Sequence, residues 1–139
     1  MKTFCEYLKS VGVDDELFAI LGSLKDATKR IADHIVTADR GKAGSMNIFG
    51  EEQLELDVLS DKIIQEECGE NPYVGLLASE ELPDEIKISD GEYGVCYDPL
   101  DGSSLVDVNL AVGSIFGIYK TGSFIGVKGT DMIAAMASV

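Results

Sequence analysis

Two carboxylates three positions apart, Asp98 and Asp101, are separated by Pro99 and Leu100 and followed by Gly102, Ser103 and Ser104. They come directly after Val95-Cys96, a short apolar run that reads as the end of a strand. Pro99 has a fixed φ and biases Asp98 towards an extended backbone. Both acids can then aim at one spot beyond the strand end. Gly102 lets the backbone come close to a ligand, and Ser103 and Ser104 add hydroxyls and N–H groups. Hard oxygen ligands beside N–H donors suit a Mg2+–phosphate site. The same residues also suit an ordinary Asp-Pro…Asp-Gly turn, so this stretch alone does not decide between them.

The rest of the chain contains elements able to place such acids. Val74–Ala78 is a short apolar run consistent with a buried strand, and it ends in Ser79-Glu80-Glu81. Tyr93–Tyr97 reads as the next strand, ending at Asp98, with a polar loop over Pro83–Gly91 between the two. In open α/β sheets, ligands bind beyond the carboxyl ends of the strands. Neighbouring parallel strands would bring Glu80, Glu81, Asp98 and Asp101 together.

Two helices precede the strands. Asp14 or Asp15 can cap the first, which the spacing of Leu17, Ile20, Leu21, Leu24, Ala27, Ile31 and Ile35 predicts from about Asp15 to Val36. The second runs through Leu54–Ile64, with Leu56, Leu59 and Ile63 on one face and Asp57 at its edge; Gly69–Pro72 stops it. A carboxylate at such an edge is usually solvated, but it can also line a cleft. Ser114–Tyr119 predicts a third strand and Phe124–Val127 its hairpin partner, after a turn at Thr121–Ser123. Thr130 is expected to cap a last helix, Asp131–Ser138. The expected fold class is α/β, with helices layered on a sheet whose strand ends hold the acids.

Composition narrows the function classes. The 139 residues suffice for one domain with a core, and 45% of them are hydrophobic. With 25 acids against 11 bases, the net charge of −14 opposes nucleic acid and anionic membranes as partners. Most of those acids are expected on a solvated surface. Cys5, Cys68 and Cys96 are odd in number and widely spaced, which argues against a disulfide framework or a zinc site. The one histidine, His34, lies in a helical pattern with no metal-ligating neighbours in sequence. Met1–Lys9 has no apolar signal core, so a cytoplasmic protein is expected.

Taken in order, Ser79-Glu80-Glu81, Asp98-Pro99-Leu100-Asp101-Gly102-Ser103-Ser104 and Gly113–Tyr119 resemble the fructose-1,6-bisphosphatase family. That family lies within the Mg2+-dependent, lithium-sensitive sugar and inositol phosphatases. Asn47–Gln53 and Leu56–Leu59 fit as well, so the resemblance runs from about Asp15 to the last residue. It implies a layered sugar-phosphatase fold of which residues 1–139 are the N-terminal domain, and a phosphoric monoester hydrolase that removes the 1-phosphate of a sugar bisphosphate. By this resemblance Glu80, Asp98, Asp101 and the Leu100 carbonyl are metal ligands, and Glu51 binds an additional metal. Asp57 and Glu81 position and deprotonate the attacking water, with Glu80 beside them in the catalytic set. Asp101, Gly102, Ser103 and Ser104 hold the phosphate. The implied cofactor is Mg2+, as two or three ions, with Mn2+ an alternative.

Within the family, Gly102–Asn109, Gly50–Leu54 and Gly126–Asp131 are similar to sedoheptulose-1,7-bisphosphatases, while Ile115–Tyr119 leans towards the fructose enzymes. Inositol-monophosphatase-like activity shares the Asp-Pro-x-Asp-Gly core but explains the flanking stretches less well. Asp39–Asn47 holds no counterpart of the plastid regulatory cysteine pair. Glu92-Tyr93 stands where AMP-inhibited members have Lys-Tyr, and an acid there reverses the electrostatics of phosphate binding. The family's catalytic unit is longer than this sequence. Its second half supplies another metal-binding Glu and the groups that hold the sugar and the far phosphate. The resemblance therefore leaves two readings: a bisphosphatase that works as a homo-oligomer or with a complementary C-terminal half, or a catalytically incomplete metal- and phosphate-binding module.

Overall fold

The computed structural model of the chain describes the backbone of residues 1–41, 49–103 and 111–139, and the side chains of residues 1–37, 55–103 and 111–139. Its first element is α1 (Phe4–Ser10), a short helix that the sequence reading passes over. The signal was legible: Thr3-x-x-Glu6 is a reciprocal capping box. The Glu6 carboxylate accepts the Thr3 N–H at 2.7 Å, and the Thr3 hydroxyl accepts the Glu6 N–H at 3.3 Å.

Helix α2 (Asp15–Gly41) is capped by Asp14, whose carboxylate accepts the Leu17 N–H at 2.9 Å. It runs past the expected stop at Val36, because no glycine or proline follows Val36 before Gly41. Ile20, Leu21, Leu24, Ala27 and Ile31 form its buried stripe. Helix α3 (Phe49–Gly69) buries Leu56, Ile63, Ile64 and Cys68. Arg30 joins the two helices, donating to Glu66 and Glu67 at 2.8 Å each. At the foot of α3, the Asn71 amide donates to the Ser23 hydroxyl at 3.0 Å.

Five strands form one mixed sheet: β1 (Val74–Ser79), β2 (Ile86–Lys87), β3 (Tyr93–Asp101), β4 (Gly113–Lys120) and β5 (Ala134–Ser138). Their order across the sheet is β2-β1-β3-β4-β5. Among the described residues only β1 and β3 are parallel; the other pairings are antiparallel. Val74, Leu77, Val95, Phe116 and Ile118 are buried in the core that joins the sheet to the helices. Gly75 and Gly91 allow a close backbone crossing beside β1, where a Cβ on Gly75 would sit 2.0 Å from the Gly91 carbonyl oxygen.

Three expectations need correction. The Pro83–Gly91 loop contains β2, which pairs with β1 through Leu77 and Ile86. Phe124–Val127 is not a strand. Phe124 packs edge-on against Tyr119 at 5.7 Å, Gly126 turns the chain at φ 82°, and Glu85 accepts from the Phe124 N–H and the Ser123 hydroxyl. The last element is β5, preceded by a short 3-10 turn at Gly129–Asp131, not a helix over Asp131–Ser138. Ala and Met favour helices locally. Pairing of Ala134 with Ile118 and of Met136 with Phe116 overrides that preference, because it satisfies the outer edge of β4.

Candidate metal and phosphate site

The parallel pairing of β1 and β3 sets the site. Ser79 lies opposite Tyr97. The Glu80 N–H extends the ladder by donating to the Tyr97 carbonyl at 3.0 Å, which brings Glu80 beside Asp98. Past Ser79 the chain turns at once: its hydroxyl accepts the Glu81 N–H at 3.2 Å, so both glutamates stay at the strand mouth.

Strand β3 does not stop at Asp98. It continues to Asp101 through an irregularity at Pro99, where the ladder lacks a donor. Asp98 pairs with Ile115 and Asp101 with Gly113, so β3 holds one extra residue, the count of a β-bulge. The extra residue resets side-chain alternation and lets two acids three positions apart act on one another. The Ser114 hydroxyl, which is buried, donates to the Pro99 carbonyl at 2.9 Å and fixes the bulge. The Leu100 N–H donates to Asp98 Oδ1 at 3.0 Å, while the Leu100 side chain is buried in the core. Gly102 follows at φ 78°, a left-handed conformation that costs other residues strain.

Asp57 enters from α3. Partial burial raises its pKa, the Ser103 hydroxyl lowers it through a hydrogen bond, and the charge of Asp98 raises it again. Glu81 is also raised, first by desolvation and then by Asp57, Asp61 and Asp98. Asp98 is raised to about 6, chiefly by desolvation, then by its hydrogen bond with Glu80, against the opposing Leu100 N–H; the charges of Glu80 and Asp101 add to the rise. Asp57 and Glu81 thus lie within electrostatic reach of each other and of Asp98, and Glu80 and Asp101 lie within reach of Asp98.

Of the residues singled out from sequence, these five acids, Leu100, Gly102 and Ser103 are thus brought together. Glu51 belongs to the first turns of α3, but its side chain lies outside the described residues, as does Ser104. Among the described residues, no group of three or more His, Cys, Asp or Glu side chains forms a ready-made metal cage. Glu92, at the other end of β3, pairs with Lys120 at 2.9 Å and lines a cleft of about 170 Å3 with Glu16, Tyr73 and Tyr93.

The sequence reading missed Asp61 and Tyr97. Asp61 is buried, and its carboxylate accepts from the Tyr97 hydroxyl at 2.9 Å and from the Gln65 amide. The signal was available, since Asp61 follows Asp57 by one helical turn and therefore shares its face. The Tyr97 hydroxyl is pushed well above its ordinary value by burial and by the Asp61 charge.

Helices layered on a mixed sheet, with acids gathered at the mouth of two parallel strands, are the arrangement that the resemblance to sugar phosphatases implied. Residues 5–139 match the family model described as fructose-1-6-bisphosphatase, N-terminal domain, and the chain belongs to the fructose-1,6-bisphosphatase family. A class 1 fructose-1,6-bisphosphatase of Syntrophotalea carbinolica is 46% identical over 94% of this chain, which spans 41% of that relative. The chloroplastic sedoheptulose-1,7-bisphosphatase of Spinacia oleracea is 36% identical over 96% of the chain and 35% of its own length. In structure, the chain is similar to a fructose-1,6-bisphosphatase of Leishmania major in holo form. The TM-score is 0.83 at 26% identity, covering 98% of this chain and 47% of that one. The chain therefore spans about two fifths of the length of the fructose-1,6-bisphosphatases it matches. The likeness extends to α1, beyond the Asp15 boundary expected from the motifs.

Proposed function

We propose that this chain is the metal- and phosphate-holding portion of a Mg2+-dependent sugar bisphosphatase that hydrolyses the 1-phosphate of fructose-1,6-bisphosphate or sedoheptulose-1,7-bisphosphate in carbohydrate metabolism. The observation that carries this reading is the parallel register of Ser79 and Tyr97, which brings Glu80 and Glu81 to Asp98 beside Asp57. The named activities of the relatives support it.

The donor chemistry fits the cofactor. A carboxylate that burial and acidic neighbours push above its ordinary value, as Asp98 is, suits a hard divalent cation better than it suits its neighbours. Glu80, Asp98, Asp101 and the Leu100 carbonyl would hold Mg2+, or Mn2+ in its place, and Glu51 would hold a further ion. When bound, the ions supply neutralisation of phosphate charge, a lower pKa for the attacking water and a steadied leaving oxygen.

The chain's own residues do the remaining work. Glu81, raised by desolvation and then by its acidic neighbours, takes the proton of the water at its carboxylate. Asp57, restrained by the Ser103 hydroxyl, orients that water. The left-handed turn at Gly102 leads directly into Ser103, whose N–H and hydroxyl would meet the phosphate oxygens. A cytoplasmic location agrees with three free cysteines, and no helix among the described residues is long and apolar enough to cross a membrane. Among the described residues no strand pairs with the outer side of β5, which favours association with a second copy or a complementary C-terminal half.

The test is Mg2+-dependent phosphate release from fructose-1,6-bisphosphate, sedoheptulose-1,7-bisphosphate and inositol monophosphate, with Asp98→Asn as control. Release from a bisphosphate that the substitution abolishes supports the reading, and the faster substrate identifies the branch. The chain spans 41% of one such relative, with which a second reading, the incomplete module, is compatible. Calorimetric Mg2+ binding without release, with turnover restored by a separate C-terminal half, would establish it. Neither release nor binding overturns both.

A further inference from the structure

Asp61 and Tyr97 are each 6% exposed, and the hydroxyl-to-carboxylate bond between them is 2.9 Å long. Among the described residues it is the one side-chain hydrogen bond that ties α3 to β3. Each partner also sits next to a residue of the site. Asp61 lies one turn beyond Asp57 on α3, and Tyr97 immediately precedes Asp98. The link reaches β1 as well: the Tyr97 carbonyl accepts the Glu80 N–H at 3.0 Å. Ser79 pairs with Tyr97 across the ladder, and its hydroxyl accepts the Glu81 N–H at 3.2 Å.

We propose that Asp61 and Tyr97 are a positioning pair, bracing α3 against the parallel strands so that Asp57, Glu80, Glu81 and Asp98 keep the spacing at which they hold a divalent cation and a phosphate. This rests on the function proposed above. The physical ground is that groups behind a metal ligand fix its orientation and alter affinity without touching the ion. A buried carboxylate is expensive unless well bonded, so its retention on this face calls for a use beyond packing. Here it receives the Tyr97 hydroxyl and the Gln65 amide, and the bond it makes lies directly behind the acids.

The test is Mn2+ binding to the chain by calorimetry, together with amide hydrogen exchange, in wild type, Tyr97→Phe, Asp61→Asn, Asp98→Asn and a double variant. Tyr97→Phe removes the brace and is expected to weaken Mn2+ binding by the folded chain about tenfold. It should also expose the Glu80 and Glu81 amides to exchange before those of Val95 and Ile118. Asp61→Asn keeps an oxygen for the Tyr97 hydroxyl and should stay within about twofold of wild type, since the bond is what matters. The double variant Asp61→Leu with Tyr97→Phe leaves no buried charge unpaired. It should fold even where Tyr97→Phe does not, and it should still bind about tenfold more weakly. Wild-type affinity in the brace-less variants, or protection lost evenly across the sheet, would overturn the proposal. So would an Asp61→Asn loss as large as that of Tyr97→Phe, because charge would then be acting instead of the brace. If wild type binds no Mn2+, or Asp98→Asn binds as well as wild type, the proposed function fails and this inference fails with it.

Discussion

The buried hydroxyl of Ser114 donates to the carbonyl of Pro99 at 2.9 Å, tying β4 to the point where β3 carries its extra residue. The bond gives the carbonyl at the irregularity a buried donor. Ser114→Ala is expected to cost about 1–3 kcal/mol, the usual penalty of an unsatisfied buried polar group, measured by urea unfolding. The loss should also loosen Asp98 and Asp101, so Mg2+ affinity should fall with stability. An unchanged unfolding midpoint would show that the bulge holds without this bond.

Asp98 presents the opposite balance. Its carboxyl is raised to about 6 by desolvation and by Glu80, so in metal-free protein at neutral pH its charge is unfavourable. Asp98→Asn should therefore leave the metal-free chain as stable as wild type, or more stable by about 1–2 kcal/mol. In saturating Mg2+ the order should reverse. Wild type gains about 2.7 kcal/mol at a hundredfold excess over Kd, and the variant gains little. Thermal unfolding with chelator and with Mg2+ checks both halves, and equal Mg2+ gains would rule out Asp98 as a ligand.

Adjacent residues on β4 test the register of the sheet. Phe116 is 1% exposed and faces Tyr97 at a ring separation of 6.2 Å, whereas Ile115 is 47% exposed. Phe116→Ala should cost about 3–5 kcal/mol. Ile115→Ala should stay within about 0.5 kcal/mol of wild type. Similar costs for the two would mean that Ile115 is covered in solution by something this chain alone does not provide.

The Arg30–Glu66 pair gives a pH signature. The guanidinium holds the Glu66 carboxyl below its ordinary value of 4.5, so the ionised form is favoured in the folded chain. A lowered folded pKa means that the contribution is complete above about pH 4.5 and is lost as pH falls through the folded value. The difference in unfolding midpoint between wild type and Arg30→Ala should accordingly persist at pH 7 and close in acid. Because the pair is exposed, high salt should also shrink it. A difference independent of both pH and salt would assign the effect to packing of the Arg30 stem.

Much of this architecture could be read along the chain because its signals are local. The α2 stripe from Ile20 to Ile31 repeats at helical spacing, and the apolar runs at Val74 and Tyr93 are short and bounded by turn residues. Expectations failed where a partner decided the state. Asp131–Ser138 has helix-forming composition, yet β4 draws Ala134–Ser138 into the sheet. Ile86–Lys87 is too short to show alternation and becomes a strand only beside β1. Tyr97 read as one more apolar strand residue until Asp61 was found at its hydroxyl.

The sequence by itself determined which residues bear the chemistry. The order and spacing of Ser79–Glu81, Asp98–Ser104 and Gly113–Tyr119 are covalent facts, and they sufficed to place the chain in its family. Only the tertiary structure decided how those acids meet. The parallel register of β1 with β3, the bulge that brings Asp101 round to Asp98, and the Asp61–Tyr97 bond behind them all join residues distant in sequence. No local pattern records such contacts, because their energy comes from burial and from partners that exist only once the sheet has formed.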